Sequence, residues 1–280
     1  ITKTIWQTKF SLVSALENKM IDTHCHINDE AYCNNAEEYI NEAKNAGVSA
    51  FLIVGFDVKS SRIAVEIAEK HPNCYAAVGI HPSDVKKADK DAFEQIDELA
   101  NNKKVIAIGE IGLDYYWDKE QNVRDYQKET FIKQIEIANK HNLPISIHCR
   151  DGIEDCLNIL KEHRVNKAGI MHCYAGSVES AQEFIKLGFL LGFGGTVTFK
   201  NSIKPKEVIV SIPSASYVLE TDAPYLTPDP YRGKPNHSKY LYLIRDAISF
   251  LRGETIEKVE ECSTNNFNRL FNLWGKFLIK

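Results

Sequence analysis

Nine histidines and seven cysteines are scattered through 280 residues. Three times a histidine stands directly before a cysteine: His24-Cys25, His148-Cys149 and His172-Cys173. Composition alone would produce about 0.2 such pairs. The first extends to His26 in the stretch IDTHCHI, so two imidazoles flank one thiol. Two acids close similar apolar runs, Glu110 in VIAIGEIG and Asp222 in YVLETD. Imidazole and carboxylate together suit a divalent transition metal, or Mg²⁺ or Mn²⁺. An open catalytic site commonly uses three protein ligands, so six donors are too many for one ion. They divide between two ions if one carboxylate bridges. Two cations about 3.5–4 Å apart can activate a water and clamp an oxyanion. The cysteines read as small, buried, weakly polar residues. Thiolate ligation is the alternative, and no CxxC pair supports it.

These donors run from position 24 to position 222, so a fold must gather them. Short apolar runs recur at 20–27, 47–55, 74–82, 104–112, 143–149, 168–174, 188–195 and 216–222. Their unbroken apolar character suits strands buried on both faces of a parallel sheet. Amphipathic stretches lie between them at 35–46, 57–71, 91–102, 121–141, 152–163, 177–187, 204–210 and 238–252. A further helix is expected at 254–274. Eight strands alternating with eight helices predict a single α/β domain over 20–280, a (β/α)₈ TIM barrel with an extra C-terminal helix. A doubly wound open sheet is the competing architecture, but its glycine-rich loop after the first strand is absent. In a barrel the C-terminal strand ends meet at one mouth. His24, His26, Glu110, His148, His172 and Asp222 all stand at such ends. Side chains alternate along a strand, so each of these histidines points inward and its cysteine outward, toward the helices.

The rest of the composition narrows the partners. The net charge is −4 and the pI about 6.2, so no global field attracts nucleic acid or an anionic membrane. A polyanionic substrate would need a local cationic site. An odd number of scattered cysteines indicates reduced thiols and a cytoplasmic location. No apolar run is long enough for a membrane span. Residues 1–19 lack the features of a signal peptide and precede Met20. They read as an extension ahead of the natural start, with a short helix packed on the barrel as the alternative. The chain is expected to be a monomer.

The ordered motifs DTHCHI (22–27), VGIHP (78–82), GEIGLDYYW (109–117), the helix carrying Gln127, Phe131 and Gln134, PISIHCR (144–150), MHCYAG (171–176) and LETDAPYLTPDPYRGKPNH (219–237) resemble the TatD-like metal-dependent hydrolases of the amidohydrolase superfamily. The resemblance runs from Met20 through almost the whole remaining chain. It implies that His24, His26 and Asp222 hold one divalent ion, His148 and His172 a second, and that Glu110 bridges. It also implies deoxyribonuclease activity, trimming single-stranded DNA from the 3′ end. Related enzymes often bridge through a carbamylated lysine; Glu110 stands in that place here. Tyr174 and His237 depart from the family's usual Phe and Glu, which leaves fine substrate preference open.

The expected chemistry is metal-assisted hydrolysis of a phosphodiester, with Asp222 as proton acceptor. His81 and Arg150 are candidates to contact the phosphate. Their plainer readings are a turn cap for His81 and an ion pair with Asp151 or Asp114 for Arg150. Tyr115, Tyr116 and Trp117 could stack on bases or simply plug the mouth. Arg232 and Lys234 add local positive charge in a proline-stiffened loop. Gly194 and Gly195 would admit substrate or form a turn. The same centre could instead serve a small-molecule esterase, lactonase or amidase.

Overall fold

The computed structural model describes residues 20–273; the extension 1–19 and the last residue of the expected C-terminal helix lie outside them. Eight parallel strands are paired in sequence order: β1 (Met20–Cys25), β2 (Val48–Val54), β3 (Cys74–Val78), β4 (Val105–Asp114), β5 (Ile145–Arg150), β6 (Gly169–Met171), β7 (Leu190–Phe193) and β8 (Tyr217–Leu219). The helices α1 (Ala36–Asn45), α2 (Val58–Lys70), α3 (Ala92–Leu99), α4 (Gln121–His141), α5 (Ile153–Glu162), α6 (Val178–Lys186), α7 (Lys204–Ser211) and α8 (Leu241–Arg252) follow the strands in turn. The added helix α9 (Ile256–Phe271) completes the (β/α)₈ barrel.

Local chemistry explains the element ends. Asp57 and Ser60 form a reciprocal capping box on α2, and Ser177 and Ser180 do the same on α6. Gly253 ends α8 in the left-handed conformation that other residues resist. On α4, Gln127, Phe131 and Gln134 share one buried face. Phe131 fills the layer between helix and sheet. The two amides grip backbone instead: Gln127 exchanges hydrogen bonds with Asp114 N–H and C=O, and Gln134 does so with those of Ile80. The helix thereby fixes the ends of β3 and β4, where site residues stand.

Two apolar layers hold the barrel. The larger lies between strands and helices and includes Cys25, Phe51, Phe131 and Phe193. The smaller fills the lower interior with Ile21, Ala50, Leu52, Ala107, Ile170 and Val218. Phe267 and Leu273 belong to it, so α9 and Leu273 plug the N-terminal end. Helix α9 also serves β8 directly: Ser263 Oγ accepts from Leu219 N–H, and Asn266 donates to Tyr217 C=O. The closure between β1 and β8 is short. Asp22 accepts from the N–H and hydroxyl of Thr221, Thr23 donates to Leu219 C=O, and backbone bonds join Asp222 to His24 and His26 to Ala223.

Candidate metal centre

The six residues singled out by type and position meet at the C-terminal mouth. Glu110 divides them. Its Oε2 lies 3.5 Å from His24 Nε2 and 3.7 Å from His26 Nε2. Its Oε1 lies 3.0 Å from His148 Nδ1 and 3.9 Å from His172 Nε2. Asp222 Oδ1 is 3.5 Å from His26 Nε2, 3.9 Å from His24 Nε2 and 3.6 Å from His172 Nε2. His24 Nε2 and His26 Nε2 are 3.2 Å apart. Donors held tetrahedrally at about 2.0–2.1 Å from one ion stand about 3.4 Å from each other. His24, His26 and Glu110 stand at about that spacing, and Asp222 Oδ1 lies 3.5 Å from His26 Nε2 and 3.9 Å from His24 Nε2. Glu110, His148 and His172 form a second triad of mutually close donors. The residues fit two divalent ions sharing Glu110.

The tautomers support this reading. A carbonyl only accepts, so the 2.8 Å contact of His26 Nδ1 with Val54 C=O puts the hydrogen on Nδ1 and leaves Nε2 facing inward with its lone pair. His148 turns Nε2 to Asp114 Oδ2 at 3.0 Å and Nδ1 to Glu110. His172 Nδ1 lies 3.0 Å from Glu220 Oε1, a close contact without good hydrogen-bond alignment. His24 Nδ1 is 3.4 Å from Ser146 Oγ. Each imidazole is thus oriented by an outer partner, as metal-binding histidines commonly are.

His81 has the opposite polarity. Its Nδ1 accepts from Ser83 N–H at 3.2 Å, so the hydrogen is on Nε2, which points toward Glu110 Oε1 at 3.7 Å. Burial pushes its basicity down to about 4, so it stays neutral. His81 caps its turn and offers an N–H to the cavity at the same time. It groups spatially with Asp114 and His148, but a nitrogen bearing hydrogen is not a ligand as it stands.

Burial works against the charges here, and their mutual contacts outweigh it. Burial works to raise Glu110, yet the imidazoles of His81, His24 and His148 packed around it, the last donating a hydrogen bond, hold its carboxyl well below the usual range. Asp222 is lowered against burial by His172 and His26. His148 is pushed up to about 9 by Asp114 and Glu110, and His172 to about 10 by Glu220 and Asp222, both against burial. His24 is lowered by burial and by His172.

His26, Glu110, His148, His172 and Asp222, with His24 buried behind them, form the floor of a cavity of about 590 Å³ walled by Phe56, Trp117, Arg150, Cys173, Tyr225 and Leu226. Arg150 forms no ion pair with Asp151 or Asp114; its guanidinium lies 3.6 Å above the Tyr116 ring and 5.8 Å from that of Trp117. Tyr115 is not in the cavity. β4 continues two residues past Gly112, which turns Asp114 inward and buries Tyr115 outside, its hydroxyl donating to Asp155. Arg232 is also absent from this cavity and lies 3.6 Å over Phe199 in an adjoining groove. Cys25 packs outward as expected. Cys173 does not: β6 ends at Met171, alternation stops, and Cys173 takes a positive φ of 44° and lines the cavity. Gly195 serves the fold, since a side chain there would strike Leu226 C=O. Tyr174 and His237 stand outside the cavity lining. Asp114, Glu220 and Ser146 support the site without standing among the residues its sequence singles out for it, where Asp114 enters only as a possible ion-pair partner of Arg150. Asp114 carried a signal, since it keeps the parity of Glu110 along β4.

A barrel with such a floor defines the class of metal-dependent hydrolases. The family model for TatD related DNase matches residues 21–272, and the chain belongs to that family. It is 45% identical to the uncharacterized metal-dependent hydrolase YabD of Bacillus subtilis over 91% of this chain and 99% of that protein. It is similar to YjjV of Escherichia coli, a TatD homologue whose crystal structure superposes with a TM-score of 0.87 at 31% identity, covering 91% and 98% of the two chains. An organophosphorus hydrolase of Deinococcus radiodurans shares the fold at 12% identity and a TM-score of 0.62, covering 90% and 92%. No described helix is long and apolar enough to cross a membrane.

Proposed function

We propose that this metal-dependent hydrolase is a deoxyribonuclease that trims single-stranded DNA from the 3′ end. The observation that carries the reading is the cavity's pairing of a donor-rich floor with a cationic, aromatic wall. Six metal donors lie below, and the neutral N–H of His81, the guanidinium of Arg150, which pairs with no carboxylate among the described residues, and the Trp117 ring face the same space. Two divalent ions, Mg²⁺, Mn²⁺ or Zn²⁺, would supply Lewis-acid chemistry and a water of lowered pKa. His24, His26 and Asp222 would hold one, His148 and His172 the other, and Glu110 both.

The chain's own groups do the rest. Asp222 is ionised at neutral pH and faces the cavity, so it can take a proton from an attacking water. His81 Nε2–H donates to a non-bridging phosphate oxygen as negative charge grows there. Arg150 neutralises the same phosphate. Trp117, 69% exposed at the rim, offers a face to the terminal base.

The test is cleavage of a 5′-labelled single-stranded oligonucleotide by metal-stripped protein with each ion restored, beside small carboxylic and phosphate esters. A metal-dependent ladder shortening from the 3′ end, lost in Glu110→Ala and Asp222→Ala, is the expected result. An intact oligonucleotide from folded, metal-loaded protein that still cleaves small esters would overturn it.

A further inference from the structure

A second groove, of about 770 Å³, adjoins the cavity, and Tyr225 and Leu226 line both. These two residues form a low ridge between the spaces, 53% and 38% exposed. Beyond it the groove is walled by Tyr32, Phe199, Thr227, Arg232 and Lys234, with no acidic residue in the lining. Among the described residues Arg232 and Lys234 have no carboxylate within ion-pairing distance. Their cations lie over the rings of Phe199 and Tyr231. In a chain of net charge −4 this is a local reversal of sign.

The wall is built before any ligand arrives. Buried Asn236 donates to Thr221 C=O and Tyr225 C=O, and its N–H reaches Pro224 C=O. Thr227 donates to Lys234 C=O, and Tyr32 to Asn236 C=O. Gly195 lets the opposite loop close against Leu226. A held shape spares a ligand the cost of ordering the loop.

We infer that this groove is a second subsite that receives the nucleotides on the 5′ side of the one in the cavity. The inference rests on the nuclease reading above. Cations without a carboxylate partner, beside the exposed Tyr225 ring, match the repeating phosphate and base of a single strand. The ridge at Tyr225 and Leu226 then separates the nucleotide being removed from those that anchor it. Affinity and turnover should therefore grow with strand length.

The experiment compares wild type, Arg232→Glu/Lys234→Glu and the control Lys103→Glu/Lys167→Glu. The control residues precede β4 and β6, at the opposite end of the barrel, and make the same change in charge. Fluorescence anisotropy with labelled hexathymidylate on metal-stripped protein reads binding alone. The groove variant should bind at least about tenfold more weakly and with a shallower salt dependence, with the control within about twofold. With metal restored, its loss in kcat/KM should be about tenfold or more for the hexanucleotide and markedly smaller for the dinucleotide. Equal loss at both lengths, equal loss in the control, or no loss overturns the groove. A wild type that cleaves no phosphodiester overturns the nuclease reading instead, and the anisotropy still decides the groove.

Discussion

The two halves of the proposed metal centre share Glu110 but are supported differently. In the first, His24 and His26 are tied by neutral partners, a serine hydroxyl and a backbone carbonyl. In the second, His148 and His172 stand against carboxylates, Asp114 and Glu220. The first half is almost sealed, whereas the His148 side chain is 20% exposed. Carboxylate support raises the basicity of an imidazole, both toward protons and toward a metal. The second half therefore has the more basic ligands and the freer access. Its access suits it to meeting substrate, while its more basic ligands would favour a firmly held ion.

Substitutions can break this contrast in stages. Glu110→Gln removes the group common to both halves, so it should lower turnover by roughly 10³-fold and release both ions. Asp222→Asn should cost comparable activity yet retain the ion held by His148 and His172, which metal analysis per chain would show. Asp114→Asn attacks only the support of the second half and should weaken its metal by about 10–100-fold. Ser146→Ala, its counterpart in the first, should cost no more than about threefold, checked by chelator competition. A larger effect from Ser146→Ala would invert the comparison.

The pH response sharpens it further. His148 and His172, pushed up to about 9 and about 10, are protonated at neutral pH without metal, so an ion must displace their protons. Affinity in the second half should rise by roughly tenfold per pH unit for each displaced proton from pH 6 to 9. The first half should rise less, because His24 is already neutral. Zinc titration against a chelator across that range would test both. The smallest effect lies outside the cluster. His237 stacks on Tyr39 and is lowered by burial to about 4. Its contribution is present above pH 6.5, the unfolded value, and is lost as pH falls toward 4, where unfolding takes up a proton. After allowance for its partial exposure this is about 1 kcal/mol. His237→Gln should flatten the acid limb of the unfolding curve by that amount.

The barrel was legible because each strand is a compact apolar run and each helix a charged amphipathic stretch. The convergence of His24, His26, Glu110, His148, His172 and Asp222 followed from the barrel's geometry. What escaped depended on where strands stop. Ending β4 at Gly112 hid Asp114 and misdirected Tyr115. Running β6 past Met171 sent Cys173 to the wrong side. Glu220 escaped because its role is to stand behind His172, and only the space left by Gly192 admits its carboxylate. The separation of Arg232 from the cavity depends on the path of a loop, which no periodicity describes.

The short closure between β1 and β8 has a mechanical meaning. A closed ring is as strong as its joint, and this joint carries His24 and His26 on one side and Asp222 on the other. An ion held by all three would fasten a loop of about 200 residues, worth about 5 kcal/mol in the chain-entropy view of cross-links. The working ion would then also be the clasp of the hoop, so chelation should let the barrel open at this joint before any other.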